Sequence, residues 1–312
     1  MTTQPASAPR IPSTGHMSGL HMALLVIGVL LTAASLGSIA VPGFPDTGPE
    51  LAAVAAVAAL GVLAILVGAA GLGRSIAAGA PQVDESSAAL PTEVSGHLDP
   101  GLSRWKWLVK WFLAIPHVVV LALLWAAFPV VTLAAGLVIL VTGRYPASWF
   151  QFCVGVLRWN WRVSFYAYSV LGTDAYPPFT LARGPYPARF DVAYPERLSH
   201  WQVLVKSWLF ALPNLLIVAA MTGGAWANDS WSNESWSTET RGISLTGALV
   251  LIAAVILLFT GVYRQGIFNL LVGLNRWALR TAAYTALMTD TYPPFRLDQG
   301  AGEPVPGSGP RT

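Results

Sequence analysis

Two arginines one helical turn apart, carried twice, are the residues of this chain best suited to chemistry: Arg158 with Arg162, and Arg276 with Arg280. A guanidinium is a planar fork of N–H donors that stays charged, so it grips phosphate or carboxylate bidentately. At a spacing of four, each pair lies on one face of a helix. Two uses fit. The pairs could clamp the phosphate of an anionic lipid at a membrane surface or contact a protein partner. Equally, they could pair with Asp174 and Asp290 of two Thr-Asp-x-Tyr-Pro-Pro-Phe turns further along, tying each turn, with its Tyr176 or Tyr292, to its helix.

The remaining inventory for chemistry is thin. The sequence has no HExxH, no GxSxG, no P-loop and no dinucleotide fingerprint. It has no CxxC and no His/Cys cluster, so neither a metal, a cofactor nor a catalytic residue is expected. The single cysteine, Cys153, excludes an intramolecular disulfide and sits in an apolar stretch, as a small buried hydrophobe does. His117 follows Pro116. Proline frees a carbonyl one turn earlier, so an imidazole satisfying polar groups is expected there, with a proton relay as the rival role. Lys and Arg form no basic block, which argues against nucleic acid.

The elements that must position these residues come in two copies. Thr142-Gly143-Arg144-Tyr145, Arg158-Trp159-Asn160-Trp161-Arg162 and Thr173-Asp174-Ala175-Tyr176-Pro177-Pro178-Phe179 are matched in order by Thr260-Gly261-Val262-Tyr263, Arg276-Trp277-Ala278-Leu279-Arg280 and Thr289-Asp290-Thr291-Tyr292-Pro293-Pro294-Phe295. Such ordered matches mark an internal repeat. The chain is 11% charged and 54% hydrophobic, far from the roughly 25% charge of a soluble domain. It therefore reads as an integral membrane protein.

Taken in order, 1–19 is a Pro/Ser/Thr-rich disordered tail and 20–73 a transmembrane hairpin. Leu20 to Val41 is the hairpin's first span, with Ser38-Ile39-Ala40 as a rival signal-peptide cleavage site. In the second span, Leu51 to Gly73, the small residues Ala55, Ala59, Gly61 and Gly68 would let a helix approach closely. Residues 74–101 are a linker, 102–181 the first repeat unit, 182–199 a second linker, 200–297 the second unit and 298–312 a disordered tail. Interleaved Trp and Lys/Arg at Arg104 to Trp111 suit a membrane–water interface. Each unit is expected to begin with a helical hairpin. The tight turn of the first falls near Ala126-Ala127-Phe128-Pro129. The second is interrupted by a polar loop, Thr222 to Gly242, in which Trp recurs every fifth residue with an acid three residues on.

The helices at 147–172 and 265–288 then carry the arginines on a polar stripe: Gln151, Gly155, Arg158, Arg162 and Tyr166, or Asn269, Gly273, Arg276, Arg280 and Tyr284. This fits a helix lying in the interface, or one packed with its arginines toward the protein interior. Spanning would cost at least ~2.5 kcal/mol per mid-depth arginine, so the interfacial placement is expected. Six spans with both termini in the cytoplasm then leave only Arg241 outside among the basic residues from Arg74 to Arg280. On that count the two units enter the bilayer with the same orientation.

Ile115-Pro116-His117, Thr142-Gly143-Arg144-Tyr145-Pro146, Gly155-Val156-Leu157-Arg158-Trp159 and Tyr176-Pro177-Pro178-Phe179 resemble a bacterial membrane family known as domain of unknown function 4389. The likeness covers roughly 102–181 and, more weakly, 200–297, where Asn214 stands for the histidine and Val262 for the arginine after Thr-Gly. It implies a multi-pass membrane protein, often with duplicated units, and no substrate. The expectation is an all-α polytopic bundle in a bacterial plasma membrane, about six transmembrane helices with two interfacial amphipathic helices in a tandem parallel repeat. Its expected role is that of a non-enzymatic structural or accessory subunit. A transporter or channel with its pathway between the repeats is the alternative.

Overall fold

A computed structural model describes residues 19–39, 48–78, 91–222 and 244–302. The expected disordered tails (save residues 19 and 298–302), Ala40 of the alternative cleavage site and the Trp-rich loop beyond Thr222 lie outside the described residues. What is described is mostly helical, with eight α-helices and one two-stranded ribbon. Three helices are long and apolar enough to cross a membrane: α1 (Gly19–Ile39), α2 (Pro49–Ala78) and α3 (Lys106–Thr142).

Helices α1 and α2 form a hairpin whose backbones nearly touch. A Cβ on Gly28 would lie 2.6 Å from Gly61 O, and one on Gly68 would lie 2.8 Å from His21 O. Of the expected small residues, Gly61 and Gly68 thus line the contact, whereas Ala55 and Ala59 are exposed. The C-terminal half of α2 then meets α4 (Ala147–Ala167). Trp149 Nε1 donates to Leu66 O at 3.1 Å, and a Cβ on Gly73 would collide with Ser148 O.

The expected hairpin in the first unit is replaced by one helix. α3 runs unbroken for 37 residues with Pro116 and Pro129 inside it, about 55 Å at 1.5 Å per residue. Nothing turns near Ala126–Pro129 because a buried stripe crosses that point without a break: Ala114, His117, Leu121, Leu124, Phe128, Val131, Ala135 and Ile139. Steps of three and four keep one narrow face inward, as in a packed helix pair. Gly143, at φ 68°, ends the helix; only glycine takes this conformation without cost.

In the second unit, α5 (His200–Val205), a π-helical turn (Lys206–Phe210), α6 (Leu212–Thr222) and α7 (Leu245–Thr260) occupy the corresponding place. Thr246 Oγ1 donates to Met221 O at 3.2 Å, so α7 begins where α6 ends. Both are too short to count as spans of their own. The π-turn has a sequence cause. Lys110 and Pro116 are one residue closer together than Lys206 and Pro213. The extra residue is taken up by the wider turn, closed by Ala211 N–H to Lys206 O at 3.0 Å. α8 (Gln265–Thr285) returns after Gly261, at φ 72°.

Strands β1 (Thr92–Gly96) and β2 (Ala188–Val192) fall in the stretches expected to be linkers. They pair antiparallel, Val94 opposite Phe190. These two residues precede Lys110 and Lys206 by the same number of residues, so the ladder is centred on equivalent positions and behaves as a local twofold.

That twofold sets the sense of the units. The start of α3 lies at the end of α7: Arg104 rests on Gly261. The start of α5 lies at the end of α3, where His200 Nδ1 bonds Leu140 O at 2.8 Å and Leu198 N–H bonds Gly143 O at 2.9 Å. The two units therefore run in opposite senses, and the expected parallel arrangement is corrected. The Asp174 turn sits at one end of α3 and the Asp290 turn at the other.

Candidate functional site: a buried cation network

α4 is buried on nearly every side. Its Trp159 and Asn160 face α3, and its Arg158, Trp161 and Arg162 face the ribbon and the strand-flanking segments. Arg158 Nε donates to Phe190 O at 3.0 Å, Nη1 to Leu181 O at 2.8 Å and Nη2 to Asp191 Oδ1 at 3.0 Å. In α8, Arg276 Nε donates to Val94 O at 3.0 Å, and its other nitrogens to the carbonyls of Asp298, Gly300 and Gly302. Each Nε thus binds one member of the central Val94–Phe190 pair, and that member is the strand preceding the other unit. Arg162 donates to Thr180 O and Ala182 O, and Arg280 Nη1 to Asp298 Oδ2 at 2.6 Å. Burial first, then the charge of Arg158, pulls Arg162 down to about 10, still protonated at neutral pH.

Of the two placements open to these helices, the structure has the second: the arginine stripes face the interior. At 0–4% exposure, Arg158, Arg162, Arg276 and Arg280 offer no open face to a lipid headgroup or a partner. The forked donors satisfy backbone carbonyls that strand ends and turns would otherwise leave unpaired, a role for which Lys has no matching geometry.

The turn aspartates take a different partner from the arginines anticipated. Asp174 pairs with Lys110 Nζ at 2.8 Å and, more loosely, with Lys106. Its Oδ2 also accepts the Ser103 N–H at 2.8 Å, and Lys110 donates to Thr173 O at 2.6 Å. Asp290 repeats the scheme with Lys206 Nζ at 2.6 Å and Ser199 N–H at 2.9 Å. Lys110 and Lys206 also stand over the rings of Tyr166 and Tyr284. So Lys110 does not snorkel to an interface; it is buried and locks the return of its unit. Tyr176 Oη donates to Leu113 O, and Tyr292 packs on Tyr284. Burial pushes the Asp174 carboxyl up, but Lys110 and the Ser103 N–H outweigh it and hold it below the ordinary value.

His117 is fully buried, with Nδ1 accepting from Trp159 Nε1 at 3.1 Å and the ring stacked on Phe179 at 3.9 Å. Asn214 holds the same place, its Oδ1 accepting from Trp277 Nε1 at 2.7 Å. The two differ in sequence yet perform one task, acceptance from a tryptophan. His117→Asn is accordingly expected to change stability by less than about 1 kcal/mol, whereas His117→Leu costs about 1–3 kcal/mol by orphaning a buried indole N–H. Chemical denaturation of the detergent-solubilised pair of variants checks this.

Sequence reasoning missed Lys110, Lys206, Asp191 and Asp298 as partners, and the two strands. One signal was present: a lysine the same distance from its own serine in each unit, Ser103 to Lys110 and Ser199 to Lys206. Cys153 is buried as expected. Among the described residues no group of His, Cys, Asp and Glu could hold a metal ion.

Fold and network together define a mostly helical protein with helices apolar enough for a bilayer, whose buried cations hold two similar units together. Residues 104–180 and 243–296 match the profile of one family, described as Domain of unknown function (DUF4389), so the resemblance carried by the motifs is shown for both segments. No curated protein and no solved structure shows significant similarity to the chain.

Proposed function

We propose that this is a non-enzymatic structural or accessory protein of a bacterial plasma membrane, whose two units lie flat in the cytoplasmic leaflet, anchored by the α1–α2 hairpin, with both termini cytoplasmic. One observation carries the reading: exposed apolar and exposed charged side chains sit on opposite layers. α3 exposes Phe112, Val119, Leu133, Leu137 and Val141, and the second unit exposes Leu216, Leu251 and Phe259. Beyond α4 lie the exposed charges Glu93, Arg183, Arg189 and Arg296, on the ribbon and the segments beside it.

Upright insertion of α3 would carry that ribbon to mid-depth, since it lies over the middle of the long helices. Each charge there costs about 2.5–3.5 kcal/mol on insertion scales. Lying flat, a helix about 10–12 Å across fits one leaflet of a hydrocarbon core about 30 Å thick. Both ends of α3, with Arg104, Lys106 and Arg144 at its rim, then face the cytoplasm, in keeping with the positive-inside rule and with attraction to anionic lipid. Opposed repeats are also the plan of many carriers. Here the units touch each other: Phe165 packs on Phe268 at 6.0 Å and Tyr263 bonds Val170 O.

Membrane-impermeant maleimide tests the seating. In a Cys153→Ala background, Ala175→Cys and Thr291→Cys, both exposed, are expected to react from the cytoplasmic side alone. Labelling of the two from opposite sides would establish an upright α3 and sink the proposal.

A further inference from the structure

The end of α3 that meets the second unit carries an open cleft of about 820 Å³, lined among others by Val138, Gly143, Arg144, Tyr194, Arg197 and His200. Arg144 and Arg197 are exposed, and among the described residues neither is ion-paired with a carboxylate and no acidic residue lines the cleft. The first turn of α4 opens onto it through Pro146 and Ala147 and has no side-chain cap. Unbonded N–H groups of a first turn add positive potential to that of the two guanidiniums. Tyr194 is tied back to Tyr145 O, and the His200 ring is held to Leu140 O, so two of the walls are braced. Directly beside it the apolar tail of α3 is exposed at Val141.

At the opposite end of the assembly Arg104, at the position equivalent to His200, lies over Gly261 as the His200 ring lies over Gly143. Val262 stands for Arg144, and Gly101 for Arg197. The pair of arginines that lines the cleft therefore has no counterpart there, where Arg104 and Arg264 take other positions.

From this we infer a phosphate-binding site at Arg144, Arg197 and the first turn of α4, for a phosphate carried by an anionic lipid headgroup or free in solution. Two arginines forking one phosphate supply charge-assisted bonds that neither makes within the chain. With a lipid as the source, its acyl chain would run along Val138 and Val141. The inference rests on the flat seating for the lipid source alone; the cleft exists whichever way the units lie.

The test uses the full chain in mild detergent, with binding of short-chain phosphatidylglycerol, short-chain phosphatidylcholine and inorganic phosphate followed by native mass spectrometry. Arg144→Gln/Arg197→Gln is compared with Arg183→Gln/Arg189→Gln, which removes the same charge from the ribbon layer. The cleft pair is expected to lose about tenfold or more in phosphatidylglycerol affinity, with the ribbon pair unchanged. Displacement of the lipid by millimolar phosphate assigns the site to the free anion, and no displacement assigns it to the headgroup. Equal losses in both pairs, or none in either, overturn the site. Circular dichroism and the labelling pattern at Ala175→Cys and Thr291→Cys are read on the same variants. A labelling result that overturns the seating while the cleft pair still loses binding leaves the site standing.

Discussion

Replacing Arg158 or Arg276 by Met is expected to destabilise the protein by about 3–5 kcal/mol each, a large part of a total that is commonly 5–15 kcal/mol. Methionine has a similar length and no donors. In Arg158→Met the carbonyls of Phe190 and Leu181 lose their donor, and Asp191 keeps Arg183 and the Val192 N–H. Each buried acceptor left bare costs about 1–3 kcal/mol. In Arg276→Met the losses are Val94 O and three carbonyls between Asp298 and Gly302. Arg158→Lys is expected to recover little, because an ammonium cannot reach three acceptors set around a planar fork. Both arginines hold the same strand pair from opposite units, so their effects should not add. A double-mutant cycle is expected to show a coupling above about 0.5 kcal/mol. Equilibrium unfolding in detergent, followed by tryptophan fluorescence, measures all of these. A loss under about 1 kcal/mol for either Met variant would show that the carbonyls find other partners and that the network does not hold the units together.

The second large effect is expected at the turn aspartates. Asp174→Asn removes the charge opposite Lys110, 3% exposed, leaving it neutral acceptors such as the Thr173 carbonyl and a ring face. Breaking one side of a buried pair commonly costs 3–5 kcal/mol, about the loss expected here. Asp290→Asn strands Lys206, 1% exposed, in the same way. The wild-type protein carries a pH signature of the pair. The folded pKa of Asp174 is depressed below the unfolded value. Its contribution is therefore fully present above the unfolded pKa of about 3.9 and is lost as pH falls through the lower folded value. Stability from this pair should hold flat from pH 8 to 5 and fall only in stronger acid. Asp174→Asn should remove that part of the acid dependence while lowering stability throughout. An unaltered acid limb in the variant would mean that the carboxylate contributes no pH-dependent stability.

Residue patterns made several features readable. The ordered motifs named two similar segments, and the matched family covers both. Gly61 and Gly68 marked the close face of α2. The 3-4 stripe of α4 placed Arg158 and Arg162 on one face. What that face met was not readable, since an interface and a packed interior ask for the same stripe. Two further errors share a cause. A run of apolar residues too long for one span suggested a turn at Phe128-Pro129. Yet α3 continues through that point as one helix of 37 residues whose buried stripe stays on one face, with both prolines inside it. The arginines were set against the nearest aspartates in sequence, although Lys110 and Lys206 lie closer in space.

Composition and the repeated segments followed from the sequence alone because bulk chemistry and ordered motifs are written in the residues themselves. The sense in which the units meet depended on the fold. It is decided by β1 pairing with β2 across nearly a hundred residues of chain, and by Arg158 and Arg276 each reaching into the strand that begins the other unit. Such bonds form only between segments already brought together, so no local pattern records them. The same holds for the open cleft at Arg144: its cations are legible as letters, but Arg144 and Arg197 line one space only because Leu198 and His200 dock on the end of α3.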